Sequence, residues 1–249
     1  MKYLYFSILL LIFMKTDLIA KEMISISGLY EVETPIFFEN KIIVIEKNTV
    51  ITANTNSEHA ITVKDCELYF NGEIFNPVIV KSKKIDSEQN VFYIEDSKVL
   101  IKHTIFENNG WCLHVHNSDI TIENTHFRNN FGGIRFFNSK TSIKKNLFEK
   151  HEIAIRFLNS NNNEINENIF YDNKIAIFIR EGIQKNGIKD NAFIKNNYDF
   201  YSGFFQSNNL SFENNYFYEK PSVFDQTKDS DLTSIINVYP LLANFPDWH

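Results

Sequence analysis

Seven phenylalanines recur along the chain at a slowly drifting period: Phe75, Phe106, Phe127, Phe148, Phe170, Phe193 and Phe217, in steps of 31, 21, 21, 22, 23 and 24 residues. The residues around each Phe recur with it. A column of this kind means one supersecondary unit stacked on copies of itself, because a lone unit cannot bury its own apolar face. About 21 residues hold two or three short strands and leave no room for a helix.

The copies align column by column. Val91-Phe92-Tyr93-Ile94-Glu95-Asp96-Ser97 matches Cys112-Leu113-His114-Val115-His116-Asn117-Ser118. Gly133-Ile134-Arg135-Phe136-Phe137-Asn138-Ser139 and Ala154-Ile155-Arg156-Phe157-Leu158-Asn159-Ser160 follow, with Ala176–Gly182 after them and Ala60–Cys66 before. Each alternates apolar and polar residues and then meets Asp, Asn, Ser or Gly, the signature of a strand running into a turn. A second strand carries Ile101, Ile122, Ile143, Ile165 and Ile188. Then comes the Phe, two residues after Thr104, Thr125, Asn146, Asn168, Asn191 or Asn215. Ladders of Phe, Ile and Asn at a strand spacing of about 4.8 Å describe a β-solenoid. The alternation and the density of β-branched, aromatic and Asn residues exclude a helical repeat.

The reading is an all-β, single-domain, right-handed parallel β-helix of about eight rungs with irregular N- and C-terminal caps. Residues 1–20 read as a signal peptide: Lys2, an apolar run from Tyr3 to Met14, and small Ala20 before Lys21. That run is shorter than the about 20 residues a bilayer span needs. The segment 21–56 reads as N-terminal cap and first rung, 57–220 as repeats and 221–249 as a C-terminal cap or tail. The long first step places an insertion at 77–90, a strand and loop projecting from the stack. Formal charge is −6, which speaks against a nucleic-acid partner. Cys66 and Cys112 fall in different columns, so no disulfide is expected between them.

The units resemble the right-handed parallel β-helix repeat of the pectin-lyase-like superfamily, whose consensus runs roughly Gly-Ile-x-apolar-x-Asn-Ser and then Ile-x-x-Asn-x-Phe. Gly133–Ser139 and Ile165–Phe170 carry it most clearly. The resemblance covers about residues 24 to 220. It implies the fold and a wide range of activities: polysaccharide lyases, polygalacturonases, carbohydrate-binding surface proteins, and periplasmic proteins that assist copper insertion into nitrous oxide reductase. Fold alone does not select among these.

Alternation assigns two outward columns on one sheet. The first is Thr62, Tyr93, His114, Arg135, Arg156 and Phe178; the second is Lys64, Glu95, His116, Phe137, Leu158 and Arg180. Aromatic planes stack on sugars and Arg pairs with carboxylates. The expected ligand-binding residues are therefore Tyr93, His114, Arg135, Arg156, Phe178, Glu95, His116, Phe137 and Arg180. They define a non-catalytic carbohydrate-binding or cell-surface module, secreted, periplasmic or on the cell surface. Its expected partner is a polysaccharide or cell-surface glycan, with no membrane span once the leader is removed, and the chain is read as a monomer.

Two alternatives share these residues. A polyuronate lyase would use His114 or His116 as base with Arg135, and calcium as the family resemblance implies. Hydrolysis, which uses two carboxyl groups, finds only Glu95 on this face. Calcium ligands are thin as well: Asp65 and Asp96, then Asn117, Asn138 and Asn159 in the turn column. A copper-handling protein would use Cys112, His114 and His116, alternate residues of one strand. Against that, the Cys112 column is otherwise Ala60, Val91, Gly133, Ala154 and Ala176, so cysteine fits there as a small core residue, and Arg135 would repel a cation over His114. His59, His103, His126, His151 and His249 share no spacing and are read as incidental.

Overall fold

The computed structural model describes residues 20–160, 162–180, 186–202, 210–218 and 223–225. The proposed signal peptide, save Ala20, and the C-terminal tail, save 223–225, lie outside them. Within them the chain coils as a right-handed parallel β-helix of about eight turns. Three sheets of nine parallel strands run its length. Successive strands of one coil belong to successive sheets, and each pairs with the strand one coil away. Glu22–Ile26 pairs with Lys41–Glu46 and Leu29–Val32 with Val50–Ala53, so the stack is regular from its first coil. Among the described residues no helix is long and apolar enough to cross a membrane.

Each coil turns at three corners, and in the regular coils a corner is a single residue in the left-handed region. One series is Asp65, Asp96, Asn117, Asn138 and Asn159, with φ between 47° and 50°. Asn and Asp tolerate this conformation because their short side chains bond locally. The N–H after each corner is buried and is met by a side-chain oxygen of the next coil. Ser97 N–H donates to Ser118 Oγ at 3.0 Å and Ser118 N–H to Ser139 Oγ at 3.2 Å. At the second corner Thr125, Asn146, Asn168 and Asn191 each donate to the Asn Oδ1 of the following coil, at 2.9, 2.9, 2.9 and 3.0 Å. The third corner carries Asn109, Asn130, His151 and Asn173, where His151 occupies an asparagine position and bonds Asn173 Oδ1 through its N–H and its Nδ1. The Asn column is thus structural, and His151, treated as incidental above, is one of its rungs.

The interior is filled by ladders. Phe106, Phe127, Phe148, Phe170, Phe193 and Phe217 stack nearly parallel with centroids 4.7 to 5.1 Å apart. That is the strand spacing, so strand pairing and ring packing reinforce one another.

Phe75 is not part of this column. It is 91% exposed, at the tip of a small hairpin in which Glu73 and Asn76 bond each other backbone to backbone at 3.1 and 3.0 Å. The column runs instead through Tyr30, Ile51, Val80 and then Phe106. The proposed insertion at 77–90 is likewise divided. Val78–Ser82 is a buried strand of the second sheet, and the true excursions are the hairpin before it and the loop from Lys83 after it. The extra residues of the hairpin displaced the aromatic outward, and β-branched Val80 took its place.

Truncating a ring in mid-stack tests this packing: Phe148→Ala is expected to lower unfolding free energy by about 3–5 kcal/mol. Phe75→Ser should change it by less than about 0.5 kcal/mol. Urea denaturation followed by circular dichroism distinguishes them, and equal losses would refute the assignment of Phe75 to the surface.

Candidate functional site

The third sheet carries the site. In its strands His59–Lys64, Asn90–Glu95, Trp111–His116, Gly132–Phe137, Ile153–Leu158 and Ile175–Ile179, the outward residues of one row are in direct register: Thr62, Tyr93, His114, Arg135, Arg156 and Phe178. Lys64, Glu95, His116, Phe137 and Leu158 form the neighbouring row. Arg180 follows the last of these strands, its N–H bonded to Phe157 O at 2.9 Å. The structure therefore gathers all nine expected ligand-binding residues on one face. A third row, not recognised in the sequence, runs alongside: His59, Asn90, Trp111, Gly132, Ile153 and Ile175.

A hydrogen-bonded chain crosses these rows. Tyr93 Oη lies 3.4 Å from His116 Nδ1, and His116 Nε2 lies 2.8 Å from His114 Nε2. Burial, then Glu95, raises the Tyr93 phenol, so Tyr93 keeps its proton, and we assign it as the donor to His116 Nδ1. His116 then carries its proton on Nε2 and donates to His114 Nε2. His114 is left with its proton on Nδ1, which is buried with no partner. These tautomers are assigned by taking Tyr93 as the donor; the reversed chain, with Tyr93 accepting, uses the same contacts. His114 is pushed down to about 2 by burial first, then by Arg135, His116, His59 and Arg156. His116 is lowered by burial, against the pull of Glu95. His59 lies flat on Tyr93, with centroids 4.5 Å apart and planes at 18°, and its Nδ1 is 3.1 Å from Asn90 Nδ2. His59 is thus part of the cluster. It escaped notice because it enters the face from two coils away, at the first position of its strand.

Next along the row stand the arginines. Arg135 Cζ lies 5.2 Å from the ring centroid of Trp111, and Arg156 Cζ lies 5.5 Å from that of Phe178. Gly132 makes the first contact possible: a Cβ there would come within 2.3 Å of the Trp111 ring. Among the described residues neither guanidinium has an ion-pair or hydrogen-bond partner, and Arg135 Nε is buried and unbonded. His114, His116, Arg135, Phe137, Arg156 and Leu158 line a shallow depression of about 340 Å³. No residue of the loop beginning at Lys83 lines it.

Cys112 does not join the histidines. It is fully buried in the core, where Asn109 Nδ2 approaches its Sγ at 3.8 Å. Alternation breaks at the corner, where Trp111, Cys112 and Leu113 are buried in succession. Both cysteines are free. The turn-column residues Asp65, Asp96, Asn117, Asn138 and Asn159 are exposed corner residues. Among the described residues no three His, Cys, Asp or Glu side chains are grouped to hold a metal ion.

Fold and face together define a β-helix repeat protein with one chemically distinctive sheet. Residues 41–234 match the family model described as periplasmic copper-binding protein (NosD), so the chain belongs to that family. The protein is secreted or periplasmic. No curated protein matches the sequence.

Buried neutral histidines fix how stability responds to acid. His114 is held at about 2 and His151 at about 4, both below the unfolded value of about 6.5. Below pH 6.5 the unfolded chain binds more protons, so stability falls as pH drops toward those values. His151→Asn, matching its ladder neighbours, should be tolerated and should flatten part of the fall between pH 6.5 and 4. Denaturation at stepped pH checks this, and an unchanged pH slope would count against it.

Proposed function

We propose that the protein handles copper in the periplasm, taking the ion as cargo at His114 and His116. The observation carrying this reading is the 2.8 Å contact between two Nε2 atoms, in imidazoles that burial keeps neutral. Neutral imidazole is the ligating form, and it suits copper. A copper ion on the two Nε2 atoms would replace the proton between them. His116 then carries its proton on Nδ1, where Tyr93 Oη can accept it, so Tyr93 orients the ligand from the outer shell. Arg135 opposes a cation here, and Cu(I), with a single charge, meets less of that repulsion than Cu(II). Membership of a family described as copper-binding supports the same reading.

The glycan surface is the second reading, favoured by the unpaired guanidiniums rather than by the rings. Tyr93 lies against His59, and Phe178 carries Arg156 and the edge of Tyr201, so these planes are partly occupied. A lyase would have to use His116 as its base, since His114 at about 2 is too weak.

Anaerobic titration of the full chain with Cu(I) against a chromophoric chelator tests the copper reading. His114→Ala and His116→Ala should each weaken binding at least about ten-fold, and Tyr93→Phe by about ten-fold or more, as for other outer-shell partners. Cys112→Ser should leave it unchanged. Binding undiminished in the double histidine variant would overturn the assignment.

A further inference from the structure

The same face presents donors with nothing to receive them. Arg135 Nε and His114 Nδ1 are both buried and unbonded. They belong to residues directly opposite one another on adjacent strands. Arg156 is the next residue in that register and is also without an ion pair among the described residues. Two guanidiniums stacked one coil apart repel, and burial lowers both. An unmet buried donor costs about 1–3 kcal/mol, and more when charged. Other charged rows here are neutralised internally: Arg128 holds Glu107 through Nε and Nη2 at 2.9 and 2.6 Å. Among the described residues the arginine row of the third sheet has no such ion pair, and Glu58 and Glu88 act on Arg135 only from beyond contact distance. Arg135 lies over the Trp111 ring and Arg156 over that of Phe178 instead. Phe137 and Leu158 give the depression an apolar flank.

We propose that Arg135 and Arg156, in the depression flanked by His114, form a binding site for a carboxylate whose carbon body lies on Phe137 and Leu158. The planar fork of Arg matches the two oxygens of a carboxylate. An anion in the depression would lie against Arg135 and Arg156 and offset the repulsion between them. This site goes beyond the copper reading and is coupled to it. A carboxylate on Arg135 lifts the positive field at His114 and His116, so anion and copper should each tighten the other's binding by the same factor. Copper arriving as a carboxylate chelate would meet both halves of the face at once.

The test is run first without copper, so that it stands or falls independently of the metal. The two tryptophans are Trp111 and Trp248. In the full chain carrying Trp248→Phe, Trp111 beneath Arg135 becomes the sole indole reporter. Acetate, citrate and trigalacturonate are titrated at constant ionic strength, with chloride as the control. A saturable change in Trp111 fluorescence is expected with carboxylates and not with chloride. Arg135→Gln and Arg156→Gln should each weaken it at least ten-fold. Arg135→Lys, which keeps the charge and loses the fork, should weaken it less, and an exposed control, Lys144→Gln, should not weaken it. Circular dichroism and thermal midpoints confirm that each variant is folded. Trigalacturonate binding far more tightly than acetate supports the site with polymer-borne carboxylates as its source; comparable binding supports it with a free anion. No saturable response, or one undiminished in folded Arg135→Gln and Arg156→Gln, overturns the proposal. A second titration with Cu(I) bound then reads the coupling, and an unchanged carboxylate affinity would refute that part alone.

Discussion

The regular coils of this protein turn three times with very few residues, and such a turn leaves a backbone N–H facing inward with no strand to pair it. The chain meets this by placing one left-handed residue at the corner and a hydroxyl or amide immediately after it. That side chain accepts the N–H of the coil before. Leaving such groups unpaired would cost about 1–3 kcal/mol each, repeated at corner after corner. Because each bond joins a residue to its equivalent one coil away, the corners also lock the register. The phenylalanine stack and the rows of the third sheet both inherit their order from that lock.

Register is what turns a repeat into a site. His114, Arg135 and Arg156 are separated by 21 residues at each step and yet stand side by side because parallel strands align them. Rigid strands hold the histidine pair at 2.8 Å and keep the tyrosine, the second histidine and the first in one donor chain. The direction of that chain matters chemically. It starts at a phenol, which can only donate to a ring nitrogen lacking a proton, and it ends at an N–H beside unmet guanidinium. The face therefore has two characters, a nitrogen pair suited to a soft cation and a donor row suited to an anion, and they share His114.

Departures from the repeat are as informative as the repeat. Gly132 replaces a side chain where Trp111 must lie across the next coil, and His151 replaces asparagine in a buried ladder while keeping contacts to Asn130 Nδ2 and Asn173 Oδ1. The first tunes the surface and the second makes the stack sensitive to acid. Gly72 serves the scaffold in the same way, since a Cβ there would come within 2.1 Å of His103 O.

Period and alternation, both local properties of the chain, determined the architecture, the Phe and Asn columns, and the two rows containing Tyr93, His114, Arg135 and His116. A strand's side chains must alternate and equivalent residues must stack, so those assignments needed no tertiary information. Alternation fails where the chain turns, and there only the tertiary structure decided the outcome. It sent Cys112 into the core, though it shares parity with His114, and expelled Phe75 on a hairpin while Val80 took its place. It also brought His59 and Trp111 to the face from the first positions of their strands. Which nitrogens lack partners was equally beyond the sequence, because a hydrogen bond depends on distances between coils that no spacing along the chain records.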